Sequence, residues 1–353
     1  MKKILAINLG SSSTKIAYYE DENCIFNENI SHAPDVIKSF PDIWSQLDFR
    51  KQQIEEFLKA KNLKISDMDA VVTRGGHTHP IPGGVYHITD QMLKESRSEK
   101  YGNHPTDLGL VLANEFSHEG PKAFTVDPPS TDEFEPLARY SGLAGIKRRS
   151  SFHILNQRAV GLHYAKTIGK NYSDLNLVIV HMGGGISVGV HKKGKIIDGN
   201  NAIDGDGPFS TNRCCSVPVG DLIRLCYSGK YTYQDMIRMI TREGGLMSYV
   251  GDNDAKRVQE KALAGDQKCL EVMQAMCYQV AKEIGADATV LDMNVDAILI
   301  TGGMAHSEWI TGMIKERVQK IAPVVVFPGE YEMQSLALHT LQALNGEVEV
   351  KEL

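Results

Sequence analysis

The sequence lacks the features that would place it outside ordinary soluble globular proteins. No apolar run approaches the roughly 18 residues a spanning helix needs, so no membrane partner is expected. Its six cysteines (Cys24, Cys214, Cys215, Cys226, Cys269 and Cys277) show no C-x-x-C spacing. In a chain of this size they read as free thiols in a reducing cytoplasm. Basic blocks are scarce: 38 Lys and Arg stand against 44 Asp and Glu, and Lys147-Arg148-Arg149 is the longest run. A nucleic-acid partner is therefore not expected. Met1-Lys2-Lys3-Ile4 enters a strand with no secretory h-region, which points to a cytoplasmic location.

Three familiar motifs fail on inspection. Gly189 to Lys195 fits G-x-x-x-x-G-K, but Ile196 follows where a hydroxyl should bind a metal, and the segment reads as a turn between strands. Asp204-Gly205-Asp206-Gly207 lacks the ligand spacing of a calcium loop. His77 and His79 form H-x-H without a third ligand at zinc spacing, so they read as a loop pair.

Two glycine-rich hairpins are present instead, far apart in the chain. Ile4 to Ile7 leads through Asn8-Leu9-Gly10-Ser11-Ser12-Ser13-Thr14-Lys15 into Ile16 to Tyr19. Leu177 to Val180 leads through His181-Met182-Gly183-Gly184-Gly185 into Ile186 to Val190. Such turns expose backbone N–H groups and small hydroxyls, the means by which proteins hold phosphate oxygens. Three consecutive glycines are entropically costly in a hairpin unless something approaches the backbone closely. Two such turns imply two facing domains on one polyphosphate, and so a nucleotide-using phosphotransferase. A third site, Thr301-Gly302-Gly303, closes a strand at the edge where open α/β sheets bind ligands.

The length suggests about two domains. Helices are expected at 46–61, from about His104-Pro105 through Phe116, at 151–168 with Ser150 or Ser151 as N-cap, at 268–291 and at 331–344; buried strands are expected at 70–73, 123–126, 296–300 and 324–327. Strands alternating with helices imply α/β domains with largely parallel sheets, to which the hairpins add antiparallel strands. Asp127 ends a strand and His153 opens a helix, stations suited to a metal-binding carboxylate and to an anion. Arg213 lies in a loop too irregular for core work.

Taken together, the chain resembles the acetate, propionate and butyrate kinase family of the sugar kinase, Hsp70 and actin superfamily, and is most similar to its butyrate-using members. The resemblance rests on Asn8-x-Gly-Ser-Ser-Ser-Thr-Lys15, Arg74-Gly-Gly, Phe152-His153-x-Leu155-Asn156-Gln157, His181-x-Gly-Gly-Gly, Asp204-Gly-Asp-Gly-Pro-Phe209, Ser228-Gly-Lys-Tyr-Thr232 and Thr301-Gly-Gly303. It implies two duplicated actin-like, ribonuclease H-like α/β domains, 1–150 with 333–353 and 151–332, with a nucleotide cleft between them. It also implies ATP/ADP and Mg²⁺ as cofactors, homo-oligomers, and reversible in-line transfer of a phosphoryl group to a short-chain carboxylate to give an acyl phosphate.

The same resemblance assigns roles. Asn8, Gly10, Ser11, Ser12, Ser13 and Lys15 would lie near the β- and γ-phosphates. Asn8, Asp127 and Glu332 would form the metal environment. His153 and Arg213 would stabilise the transferring group. His181 and Gly183, Gly184 and Gly185 would hold phosphates, and Gly302 and Gly303 would flank the adenosine. His104 falls at the family's active-site histidine. Val71 stands where acetate kinases place a substrate arginine, leaving Arg74 as the stand-in; Leu9 replaces a usual proline, and Cys214-Cys215 replace small residues after the arginine. Isobutyrate, acetate and propionate remain open as substrates. A nucleotide-gated interaction protein on the same fold is the alternative of another class.

Overall fold

The computed structural model describes residues 1–353, which form two compact units: Met1–Asp132 with Tyr331–Leu353, and Glu133–Glu330. The first unit carries strands β1 (Lys3–Leu9), β2 (Ser13–Glu20), β3 (Asn23–Ser31), β4 (Ala70–Thr73), β5 (Val85–His87) and β6 (Lys122–Val126). The second carries β7 (Asn176–Met182), β8 (Ile186–Lys192), β9 (Lys195–Gly199), β10 (Ala297–Gly302) and β11 (Val324–Pro328), and the chain ends with β12 (Val350–Lys351), which returns to the first sheet.

The two sheets share one plan. In the first the order is β12-β5-β6-β4-β1-β2-β3, and in the second β11-β10-β7-β8-β9. Each opens with an antiparallel meander, β1-β2-β3 or β7-β8-β9, then adds two parallel strands beside the first: β4 and β6, or β10 and β11. The central parallel strands β4, β7 and β10 are buried along their whole length because both faces are covered. Ile4 to Ile7 and Leu177 to Val180 are essentially inaccessible. Helix Asp107–Ser117 packs Leu108, Leu112 and Phe116 into the first core, and helix Gln267–Val290 packs Met273, Met276, Cys277, Val280 and Ile284 into the second. Its methionine and cysteine stripe is core packing at helical spacing.

Three expectations change. The units divide at Asp132/Glu133 where the sequence suggested 150/151. Residues from 133 onward are tied to the second sheet: Glu135 N donates to Ile197 O, Phe134 stacks on Phe152, and Arg148 pairs with Asp198. The helix expected from Ser151 begins at Ile154 with His153 in the N-cap position and no capping side chain. Ser151 O instead accepts Ala202 N, which keeps that stretch out of the helix. Finally, the helix expected near His104 starts at Asp107, whose carboxylate holds His104 N from inside the first turn.

Candidate active site

In the first unit three adjacent parallel strands end side by side and deliver Asn8 from β1, Arg74 just after β4, and Asp127 just after β6. This is the edge where α/β sheets place ligands. Asn8 Nδ2 donates to Glu332 Oε2 at 2.8 Å, and Arg74 Nη1 lies 3.3 Å from Glu332 Oε1. Glu332 opens helix Glu332–Leu344, so it sits in the helix's positive N-terminal field. Asp127 has a left-handed backbone (φ 41°), uncommon for a residue with a side chain. Reciprocal bonds hold it there: Asp127 N donates to Gly84 O, and Gly84 N to Asp127 Oδ1.

The Arg74 loop rests on the start of helix Asp107–Ser117. Asp107, fully buried, accepts from His77 N, from His77 Nδ1 and from His104 N. Cβ atoms at Gly75 and Gly76 would collide with Thr106 O and with the Leu110, Asp107 and Ser96 side chains, so this loop admits only glycine. His104 Nδ1 accepts from Thr106 N at 3.2 Å. Burial first, then the charges of Arg74 and His77, hold the His104 imidazole down at about 4, against the opposing pull of Asp107.

The first hairpin turn is the best-supported loop of this unit. Arg50 is fully buried beneath it and donates to Gly10 O, Ser11 O, Ser13 O and Thr14 Oγ1, with Gln46 Oε1 as its remaining partner. The guanidinium engages the turn's carbonyls from below, while Ser11 and Ser12 stay exposed. Lys15 faces Asn8 across the β1–β2 register. Sequence reasoning expected the helix at 46–61 but missed Arg50. The signal was its spacing: Arg50, Ile54 and Leu58 are four residues apart on the buried face.

In the second unit His181, one residue before the end of β7, and His153, at the N-cap of helix Ile154–Thr167, stack face to face with centroids 3.8 Å apart and planes 10° from parallel. The Gly183–Gly185 turn closes through Gly183 N to Gly185 O, 2.9 Å. Ser210 Oγ and Thr211 Oγ1 both donate to Gly184 O, and Arg213 Nη1 donates to Ala202 O at 2.6 Å. A Cβ at Gly185 would overlap the Arg213 guanidinium, so the glycine lets the arginine lie against the turn. Burial pulls the Arg213 pKa down, yet an arginine stays charged. Gly302 (φ 94°) brings β10 so close to Met182 that no side chain fits, while nothing stands over Gly303. Cys214 and Cys215, which follow Arg213 in the chain, are unpaired thiols; burial pushes Cys215 up to about 12, which disfavours its thiolate.

The structure thus brings together Asn8, Arg74, Glu332 and, through Asp107, His104 in one unit, and His153, His181, Gly183–Gly185 and Arg213 in the other. It forms no cage of three or more His, Cys, Asp or Glu side chains around a metal position. A glycine turn beside a fixed arginine and two imidazoles, on a duplicated α/β plan, is an arrangement suited to phosphoryl transfer.

Comparison with known proteins specifies which kind. Residues 136–322 match the acetokinase family. The chain is 47% identical to butyrate kinase 1 of Clostridium acetobutylicum over the whole of this chain and 99% of that one. It is 45% identical to a probable butyrate kinase of Clostridium botulinum over 99% of each. Among solved structures, Porphyromonas gingivalis acetate kinase superposes with a TM-score of 0.82 at 17% identity, covering 98% of this chain and 100% of that one, which supports the duplicated fold. The chain belongs to the acetokinase family and is a phosphotransferase with a carboxyl group as acceptor.

Proposed function

We propose that the protein is a cytoplasmic butyrate kinase, interconverting ATP and butanoate with ADP and butanoyl phosphate. The observation that carries this reading is full-length similarity at 47% identity to a butyrate kinase, joined to an arginine pinned against a triple-glycine turn. In this reading a carboxylate oxygen attacks the γ-phosphorus as the bond to the ADP oxygen breaks, so no strong general base is required. Arg213 and His153 meet the charge spread over the equatorial oxygens, where fixed donors lower the barrier. His181 and Gly183–Gly185 hold phosphates, and Gly302 and Gly303 border the adenosine. Arg74 receives the carboxylate, with His104 beside it as a neutral imidazole.

The donors around a metal position are oxygens only, from Asp127, Glu332 and Asn8, a set that suits Mg²⁺ held largely by water and nucleotide phosphates. When bound, the ion would screen the phosphate charges. Asn8 and Arg74, which already engage Glu332, orient that carboxylate for the ion's water shell. Homo-oligomers and a fermentative role complete the proposal.

Chain length is the finest point of the assignment. Each buried methylene contributes about 0.8 kcal/mol, so two carbons separate butyrate from acetate by about 1.6 kcal/mol, roughly tenfold. Trapping acyl phosphate with hydroxylamine across linear and branched C2 to C6 acids tests the proposal directly. The expected maximum is at C4; a maximum at acetate, or no hydroxamate from any acid, refutes it.

A further inference from the structure

Asn156 and Gln157 follow His153 on its helix, fully buried, and each ends a chain of hydrogen bonds on one of the two stacked imidazoles. The direction of each chain is fixed by a backbone carbonyl, which can only accept. Beside His153, the Gln157 side chain lies 3.2 Å from Ser187 O, so its amide nitrogen must face that oxygen. The same nitrogen donates to Ser187 Oγ at 2.9 Å, which leaves the hydroxyl hydrogen available to point at His153 Nδ1, 3.0 Å away. Gln157 Oε1 accepts from His191 Nε2, and Tyr172 OH donates to His191 Nδ1 at 2.6 Å. His191 is wholly buried and held neutral by that burial, in keeping with a single ring N–H. A Cβ at residue 189 would overlap Gln157 Oε1, so Gly189 makes room for this chain.

The second chain runs likewise. Thr301 Oγ1 donates to Gly329 O at 3.0 Å and so offers Asn156 only a lone pair. Asn156 Nδ2 donates to it at 3.4 Å and to His181 Nδ1 at 2.9 Å. His181 Nδ1 is therefore an acceptor, and His153 Nδ1 is placed to accept from the Ser187 hydroxyl. Two rings stacked 3.8 Å apart are also a poor place for two positive charges.

We infer that Asn156, and Gln157 acting through Ser187, are positioning residues that hold His153 and His181 as neutral imidazoles with the proton on Nε2. Resting on the proposed function, this makes the pair two uncharged N–H donors toward phosphoryl oxygens, and leaves the fixed positive charge of the unit's site to Arg213. Two-bond ¹⁵N–¹H correlation spectra of the full chain with ring-labelled histidine test it, the two rings being assigned by loss of their signals in His153→Gln and His181→Gln. Both should show a protonated Nε2 and a bare Nδ1. A proton on Nδ1 of either ring overturns the inference.

Ser187→Ala removes the donor to His153 and should convert that ring to a mixture of tautomers. Its kcat should fall by about 10- to 100-fold, as expected when the partner orienting a functional histidine is lost, with KM for ATP and acid little changed. Ser187→Thr should restore both. An unchanged His153 tautomer in Ser187→Ala, or a loss expressed in KM alone, counts against the assignment. Asn156→Asp, which replaces the amide donor with an acceptor, should move the His181 proton to Nδ1. The spectra report the tautomers whether or not the protein turns over. Failure of the underlying catalytic placement would appear separately, as undiminished kcat in His153→Gln.

Discussion

The two units repeat one strand plan, and the repeat makes their differences informative. Asn8 and His181 occupy the same place, one residue before the end of the first strand, and each precedes a glycine turn into the second. In the first unit the arginine serving that turn lies underneath: Arg50 is sealed in the core and holds the turn's carbonyls. In the second unit the supports are the Ser210 and Thr211 hydroxyls, and Arg213 lies against the turn with its guanidinium anchored on Ala202. The same scaffold thus uses one arginine to shape a loop, while the function proposed above gives the other the task of presenting charge. Position in the fold did not decide which; the partners did. Buried beneath its turn, a guanidinium that spends its donors on carbonyls is a structural element.

Exchanging the two losses gives the sharpest way to break this contrast. Arg213→Ala should lower kcat by about 10³-fold, the scale of a catalytic arginine in phosphoryl transfer, while urea unfolding stays close to wild type. A loss under tenfold would move Arg213 out of the chemistry and erase the distinction. Arg50→Met should do the reverse. Leaving the carbonyls of Gly10, Ser11 and Ser13 short of a charged donor costs about 3 kcal/mol of unfolding free energy. Phosphate affinity should weaken as the turn relaxes, with kcat at saturation less affected than in Arg213→Ala. Wild-type urea stability in Arg50→Met would show that the turn stands without its prop.

What the sequence made legible follows the same line between local and distant partners. Both glycine turns, strand Ala70–Thr73 and helix Gln267–Val290 were readable because their signals lie within a few residues. So was the turn at Lys193-Gly194, which the structure places between β8 and β9. Strand β3 was not, since Asn23–Ser31 is largely exposed and lacks the alternation that marks a half-buried strand. The helices between Val219 and Leu263 also went unread. Helix Val219–Cys226 carries apolar residues at helical spacing, Val219, Leu222, Ile223 and Cys226, yet it buries none of them, so its stripe does not mark a core element. Among site residues, Arg50 escaped because the turn it supports lies 36 to 40 positions away. Gln157 and Asn156 were visible as a motif, but their hydrogen-bond directions are set by carbonyls at Ser187 and, through Thr301, at Gly329, which no spacing announces.

The smallest expected effect concerns acid, and it too separates the units. In the first, His32 and His104 are both held down to about 4. Burial is the main cause for each, with Arg50 adding to it at His32, and Arg74 and His77 at His104. Neutral His32 fits its site, because Thr14 Oγ1, already accepting from Arg50, donates to His32 Nε2. A depressed folded-state pKa means that the unfolded chain takes up the proton first. The stability these rings contribute is present above their ordinary value near 6.5 and is lost as pH falls toward 4. In the second unit buried His191 acts with the same sign. Asp287 opposes it: burial, then Glu283 and Asp198, raises its carboxyl well above the usual range, so its contribution is full in acid and is lost as pH rises. Within the first unit two histidines, His32 and His104, pull toward acid instability. Urea midpoints should fall between pH 6.5 and 4, and His32→Asn should flatten that fall by about one proton, roughly 1.4 kcal/mol per pH unit at the steepest. An unaltered slope in His32→Asn would mean that the ring above Arg50 is already protonated in the fold, and that the core of the first turn tolerates a second cation.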